Sequence, residues 1–317
     1  MIKRLEVAAA VVQRDDGEFL LAERPAGKVY AGFWEFPGGK IEAGESPYHA
    51  LVRELHEELG IEVELAYPWI SRVYAYPHAT VRLHFFRVVR WRGEPHGKES
   101  QRLCWQYPEA LTVAPLLPAN GPILRALSLP PVYAISRARE LGVALFLECL
   151  ERALQGGVRL IQVREKEMAA DDLQRFAAEV VQRAHAHGAR VVVNAPLELA
   201  RAADADGIHL NSAQLMACTA RPEVTLVGAS VHNRQELARA AELELDYAVL
   251  SPVQPTLSHP GAPVLGWEGF AALTQGLPLP IYALGGMQPQ ALELAWRHGA
   301  HGIAMRRGAW ESAQGQA

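Results

Sequence analysis

Residues 39–61 read GKIEAGESPYHALVRELHEELGI, and the order of small, acidic and apolar residues in this stretch decides what the front of the chain can be. Ser46 suits an N-cap, Pro47 the first helical position, and Gly60 the left-handed residue that ends a helix. Between them Glu54, Glu57 and Glu58 stand at i, i+3 and i+4, which gathers three carboxylates on one helical face. Leu51, Leu55 and Leu59 fall on another face, which a core can bury. Like charges spaced i, i+4 destabilise a helix by about 0.2–0.5 kcal/mol per pair, so the acidic stripe asks for a cation. A solvated helix with its acids paired to Lys and Arg is the plainer reading, yet only Arg53 is locally available, and Gly38-Gly39 would go unexplained. Carboxylate oxygens suit Mg²⁺ or Mn²⁺ better than zinc, and Mg²⁺ commonly arrives with a phosphorylated substrate.

The pattern Gly39-x5-Glu45-x7-Arg53-Glu54-Leu55-x-Glu57-Glu58-x-Gly60-Ile61 resembles the Nudix box at every position. Beyond the box, residues 1–128 resemble the MutT branch of that family, the 8-oxo-dGTP diphosphatases. The carriers are Glu35-Phe36-Pro37-Gly38-Gly39-Lys40-Ile41-Glu42, Trp91-Arg92-Gly93-Glu94-Pro95 with Gly97-Lys98-Glu99, and Pro118-Ala119-Asn120. The resemblance implies that Glu54, Glu57, Glu58 and the Gly38 carbonyl hold Mg²⁺ or Mn²⁺, with Glu99 as a further ligand or base and Arg53 in the catalytic set. It also implies that Arg24, Glu35, Phe36, Pro37 and Gly38 touch the nucleotide, and that Asn120 reads an oxidised purine edge. An Asn amide carries a donor and an acceptor together, as such an edge requires. The implied reaction is attack of water on a nucleoside triphosphate, yielding the monophosphate and pyrophosphate.

At 317 residues the chain has room for two domains, each burying its own core. A net charge of −4 and a pI near 6.3 give no electrostatic reason to expect a nucleic-acid polymer or an anionic membrane as partner. Cys104, Cys149 and Cys218 are odd in number, scattered and without CxxC spacing, which argues for free thiols in a reducing compartment. The opening MIKRLEVAAAVV imitates a signal peptide only until Glu6, and no run of 18 uncharged apolar residues is present, so a cytoplasmic protein is expected. Oligomeric state is left open by these features.

The front half alternates strands and turns: Val7–Gln13 and Glu18–Glu23 are expected to pair as a hairpin across Asp15-Asp16-Gly17. Val63–Val73 and Val81–Trp91 extend a mixed sheet, and an apolar helix runs from about Ile123 to Leu129. With the acidic helix this makes an α/β/α sandwich over residues 1–129, ended by the linker Leu127-Ser128-Leu129-Pro130-Pro131.

From Val132 the rhythm changes to short apolar runs separated by amphipathic stretches such as Asp171–Ala186 and Arg234–Ala241. The runs are Val132–Ile135, Leu160–Val163, Val191–Val193, Gly207–Leu210, Leu226–Ser230, Tyr247–Leu250, Ile281–Leu284 and Gly302–Met305, which predicts a (β/α)₈ TIM-type barrel over residues 130–317. The tail after Trp310 is too short for a full last outer helix. Polar residues follow the strands at the end where barrels place their sites: Gln162, Arg164 and Lys166, Asn194, His209, Ser230 and His232, Thr256, Gly285-Gly286, and Arg306-Arg307. Together they predict a phosphate-accepting pocket.

Gln162-Val163-Arg164-Glu165-Lys166, Val193-Asn194, Gly207-Ile208-His209-Leu210, Ser230-Val231-His232 and Gly285-Gly286 resemble the thiamin phosphate synthase and thiazole tautomerase superfamily. The resemblance implies a phosphorylated thiamin precursor as ligand. The departures lie at Ala195 and Gln214, where synthases place Asp for Mg²⁺, and at His259, where a synthase lysine is expected. Without those carboxylates a diphosphate leaving group loses its main counter-charge, which weighs against synthase activity. The tautomerase branch lacks them too and moves protons with a histidine that His232 matches. Three roles for the barrel therefore stay open: synthase, tautomerase, or a phosphate-binding regulatory barrel without catalysis.

Overall fold

In the computed structural model, which describes residues 3–256, 261 and 263–311, the first strand sets the layering of the front unit. Its elements are β1 (Lys3–Val12), β2 (Phe19–Glu23), β3 (Trp34–Glu35), β4 (Gly38–Lys40), α1 (Pro47–Leu59), β5 (Glu62–Tyr76), β6 (Ala79–Arg92), β7 (Leu103–Gln106) and α2 (Gly121–Leu127). One sheet has the order β4-β1-β6-β5, with β1 parallel to β6 and the other pairs antiparallel; a second has the order β3-β2-β7.

Alternate residues of β1 serve two cores, as the two-residue period of a strand requires. Ala8, Ala10 and Val12 pack with Leu51, Leu55 and Leu59 of α1, while Ala9 and Val11 pack with Phe19, Trp34, Phe36 and Phe85 and with Ile123 and Leu124 of α2. The three α1 leucines have no exposed surface. Burying each is worth about 1.5–3 kcal/mol, enough to outweigh the repulsion on the opposite, acidic face. Ser46 Oγ accepts from His49 N at 3.2 Å, and Gly60 ends the helix at φ +69° with its N–H on His56 O.

The expected hairpin is corrected. A turn does form, with Arg14 N–H on Glu18 O, but only Gln13 and Phe19 bridge before the strands part into different sheets. β1 is claimed by β6 over ten residue pairs, which offers more ladder than a short hairpin would.

The second unit is a closed parallel barrel of eight strands: β8 (Val132–Ile135), β9 (Leu160–Val163), β10 (Arg190–Val193), β11 (Gly207–Leu210), β12 (Leu226–Val231), β13 (Tyr247–Leu250), β14 (Ile281–Leu284) and β15 (Gly302–Met305). Outer helices cover the strands, so the strands read as continuous apolar runs buried on both faces. The helix Ala170–Ala186 does this with Phe176, Ala177, Val180, Val181 and Ala184. The last helix described, Gly308–Glu311, is four residues long, and its Trp310 is buried with Nε1 donating to Ile135 O at 2.8 Å. Residues 312–317 and His259 lie outside the described residues. Tyr133, Tyr247 and Tyr282 fill the barrel axis, and Gly228 leaves the space that the Tyr247 ring occupies.

Contacts divide the chain into Met1–Ser128 with Gln275–Pro278, and Leu129–Thr274 with Leu279–Ala317. Among the described residues no helix is long and apolar enough to cross a membrane.

Gly38 adopts φ +141°, and a Cβ there would overlap the Ala8 carbonyl of the neighbouring strand. Gly38→Ala should therefore destabilise the front unit by about 1–3 kcal/mol. Urea unfolding monitored by tryptophan fluorescence measures this, with Gly27→Ala, at a glycine whose added Cβ meets open space, as a reference for φ cost alone.

Candidate active site and a second cleft in the barrel

Helix α1 and the two strands before it build the acidic site. Gly39 has no side chain because the Glu54 carboxylate lies where its Cβ would stand, which brings backbone and acid together. Arg53 holds the helix face in order: Nε and Nη2 donate to Glu45 at 3.0 and 2.9 Å, Nη1 to Glu54 at 2.9 Å and Glu57 at 3.3 Å, and Nη2 to Lys40 O at 3.0 Å. Glu58 Oε2 accepts from Gly38 N at 3.4 Å.

A loop distant in sequence is tied to the end of α1. Lys98 N and Gln101 Nε2 both donate to Glu58 O, and His96 N donates to Leu59 O. Gln101 Oε1 accepts from Glu99 N at 2.7 Å, so this buried glutamine fixes Glu99 beside the helix. Lys28 Nζ then donates to Glu99 Oε2 at 2.5 Å. The Glu58 carboxyl is pushed up to about 7, chiefly by burial and further by Glu54 and Glu99, against the pull of Lys28 and the Gly38 N–H.

Arg24, Glu35 and Asn120 lie on the other side of this segment. Arg24 Nη1 donates to Glu35 Oε1 and Oε2 at 2.5 and 2.6 Å, and its Nε to Val29 O at 2.8 Å. Burial raises the Glu35 carboxyl while Arg24 opposes the shift. Asn120 is buried and its Nδ2 donates to Trp34 O at 3.4 Å, next to Glu35 in the chain. Phe36 is different: its ring packs on Phe19 and Phe85 with centroids 5.6 and 5.7 Å apart, so only its backbone is placed to meet a ligand. Pro37 is buried and its carbonyl is taken by Ala10 N at 2.8 Å.

Two features escape the motif. Lys28 reaches the acids from a loop with no motif of its own. Tyr30, Phe33, Tyr74, Tyr76 and His78 form an aromatic cluster with Tyr30 and Tyr76 centroids 5.6 Å apart. The Tyr76 hydroxyl is pushed up to about 12 by burial first and then by the charge of Glu35, which places this wall beside the Arg24–Glu35 pair. The alternation of Tyr74 and Tyr76 was its only sign in the sequence.

In the barrel, Gln162, Arg164, Lys166, Asn194, His232, Gly285 and Gly286 line one cleft of about 840 Å³, with His209, Ser230, Thr256, Arg306 and Arg307. Beneath it runs a column of hydrogen bonds. Tyr247 OH donates to Tyr133 OH at 3.0 Å, Tyr133 OH lies 3.1 Å from His209 Nδ1, and His209 Nε2 lies 2.9 Å from Ser230 Oγ. Burial, with Arg164 adding repulsion, pushes His209 down to about 3, so the imidazole is neutral and Nε2–H donates to Ser230 when Nδ1 accepts from Tyr133. His232 Nδ1 lies 2.9 Å from Ser251 O and so carries the proton, leaving Nε2 as the lone-pair nitrogen.

A NUDIX domain model matches residues 8–126, and a thiamine monophosphate synthase model matches residues 132–309, more than half of the chain. The CTP pyrophosphohydrolase of Escherichia coli (strain K12) is 44% identical over 125 residues, 39% of this chain and 92% of that protein. The 8-oxo-dGTP diphosphatase of the same strain is 38% identical over 126 residues, 40% of this chain and 98% of that protein. The thiamine-phosphate synthase of Streptococcus suis (strain 98HAH33) is 34% identical over 181 residues, 55% of this chain and 79% of that protein. The chain belongs to both families, a Nudix domain fused to a thiamine monophosphate synthase domain.

Nudix hydrolases use divalent metals, and the donor chemistry of this Nudix domain fits one. Among the described residues no three His, Cys, Asp or Glu side chains already converge to enclose an ion, because Arg53 and Lys28 engage the carboxylates. Yet burial, with Glu54 and Glu99 beside it, pushes Glu58 up to about 7, and a hard cation would take the place of the proton it holds there. The synthase domain does not fit the metal of its family. Ala195 has no ligand atom, and Gln214 turns back on its own helix, where its Oε1 accepts from Asn211 N at 2.9 Å in a capping box.

The depressed His209 makes the barrel's stability pH-dependent. Its contribution is full above about 6.5, where both folded and unfolded imidazoles are neutral, declines as pH falls from 6.5 towards 3, and is lost below that. Urea unfolding of the wild-type chain should therefore weaken between pH 7.5 and 5.0, and His209→Gln should reduce that slope.

Proposed function

We propose that the Nudix domain is a divalent-metal-dependent hydrolase of oxidised purine nucleoside triphosphates, 8-oxo-dGTP above all, and that it clears the nucleotide pool in the cytoplasm. The observation that carries this reading is the meeting of Glu54 and Glu58 with the Gly38–Gly39 backbone while a separate loop delivers Glu99. Bound Mg²⁺ or Mn²⁺ would neutralise phosphate oxygens and make a water acidic. Arg53 keeps Glu54 and Glu57 aligned, and either Glu99 or Glu58, whose carboxyl burial pushes up to about 7, accepts a proton from the attacking water. Lys28 is placed to leave Glu99 for the polyphosphate as substrate enters. The purine would lie along the Tyr30 and Tyr76 rings, with Asn120 offering a donor and an acceptor to its edge.

The relatives' names divide between CTP and 8-oxo-dGTP, so substrate choice is the test. Pyrophosphate release from 8-oxo-dGTP should exceed that from dGTP and CTP at equal concentration, and Asn120→Ala should narrow the gap. A preference for CTP would replace the purine reading and leave the hydrolase. Glu54→Gln and Glu57→Gln should each lower kcat by about 100-fold or more with little change in Tm.

One observation favours a second activity. His232 Nε2 opens on the cleft with no partner among the described residues, and its Nδ1 is anchored on Ser251 O. This supports proton transfer on a small phosphorylated ring compound, of the thiazole tautomerase kind, over condensation with loss of diphosphate. Loss of solvent-proton exchange from a thiazole phosphate in His232→Ala would test it; exchange at the wild-type rate would remove His232 from the role.

A further inference from the structure

We infer that Lys28 is the exchangeable counter-ion of the acidic site: its ammonium competes with the divalent cation for Glu99 and, on yielding, binds an oxygen of the triphosphate. The inference rests on the hydrolase reading above and adds to it the order in which charge is exchanged.

The acids of the Nudix site are neutralised in two different ways. Arg53 grips Glu45, Glu54, Glu57 and the Lys40 carbonyl through all three of its nitrogens. A guanidinium so engaged cannot turn to a ligand without breaking several bonds at once. Glu58 and Glu99 fall to Lys28 instead. Its Nζ donates to Glu99 Oε2 at 2.5 Å, and among the described residues Glu99 has no other ion-pair partner and Glu58 has none. Lys28 is also the strongest influence opposing the rise of the Glu58 carboxyl, while Glu99 and then Glu58 raise the Lys28 ammonium in return. One ammonium thus answers the two acids that Arg53 leaves alone.

That arrangement favours exchange. Both members of the Lys28–Glu99 pair have side chains 47% exposed, and an ion pair this open to water holds weakly. A divalent cation carries twice the charge and gathers several oxygens at once, so Lys28 gives Glu99 up to it. Glu99 itself stays in place, because its N–H is held by Gln101, whose Nε2 in turn donates to Glu58 O. The loop that carries Lys28 is pinned as well: Arg24 Nε donates to Val29 O at 2.8 Å, and Arg24 O accepts from Gly32 N at 2.9 Å. Only the flexible four-carbon stem has to turn, and it leaves the ammonium beside the acids, where a polyphosphate sharing their cation would lie. Lys98, next to Glu99 in the chain, is not available for this, since its Nζ donates to His56 O at 3.0 Å.

Two affinities that move in opposite directions provide the test. Mn²⁺ titration of the full chain, read by electron spin resonance without nucleotide, follows the cation site, and the Nudix site is the one lost in Glu54→Gln. Lys28→Met keeps the stem and removes the charge. It should tighten that site about 2- to 5-fold. With saturating Mg²⁺ it should raise KM for 8-oxo-dGTP and for CTP alike, about 10-fold, because the contact is to phosphate rather than base. Lys28→Arg should restore the Mn²⁺ affinity, and in Glu99→Gln the Lys28→Met change should lose most of its effect on Mn²⁺. A lysine that only steadies its loop would instead lower Tm and weaken both affinities together. Mn²⁺ affinity unchanged or weakened in Lys28→Met, or an unchanged KM, would overturn the inference and leave the hydrolase standing. A wild-type chain with no Mn²⁺ site sensitive to Glu54→Gln would remove the hydrolase reading and this inference with it.

Discussion

The acidic face of α1 exists because Arg53 holds it. A helix with Glu54, Glu57 and Glu58 in adjacent turns repels itself, and one guanidinium spread over Glu45, Glu54, Glu57 and the Lys40 carbonyl both neutralises that face and ties it to the loop before it. The leucines beneath supply the burial that keeps the helix in place, and the glycines in front leave room for the acids to touch backbone. Removing any of the three elements leaves carboxylates without a defined position.

Much of this was legible in the sequence, because caps, spacing and glycines act locally. Ser46, Pro47 and Gly60 bound α1 where their chemistry says they should, and the eight apolar runs of the second half became the eight barrel strands within a residue or so. What escaped depended on partners far along the chain. The turn after Gln13 looked like a hairpin, but β1 found a longer partner in β6. Phe36 sits inside a motif that reads as ligand-binding, yet its ring belongs to the core. Lys28 and the Tyr30–Tyr76 wall carry no motif at all, since their place is set by tertiary packing.

The two domains treat negative charge in opposite ways. In the Nudix domain carboxylates gather on one helix face around Arg53; at the barrel cleft guanidiniums gather instead, Arg137, Arg306 and Arg307 around Glu140, with Arg137 also on Glu311. Gln214, where the resemblance expects a metal carboxylate, closes a capping box with Asn211 and stabilises the fold.

The tyrosine and histidine column under the barrel cleft has a sense of direction. Tyr247 gives its hydrogen to Tyr133, and in the tautomer whose Nδ1 accepts from Tyr133, neutral His209 passes the same orientation to Ser230. With one Oγ lone pair engaged from below in this orientation, Ser230 keeps its hydrogen and a second lone pair for the cleft, so the floor can both give and take a hydrogen bond. Whatever reaches that depth thus meets a hydroxyl whose orientation is set from the barrel axis rather than by the guest.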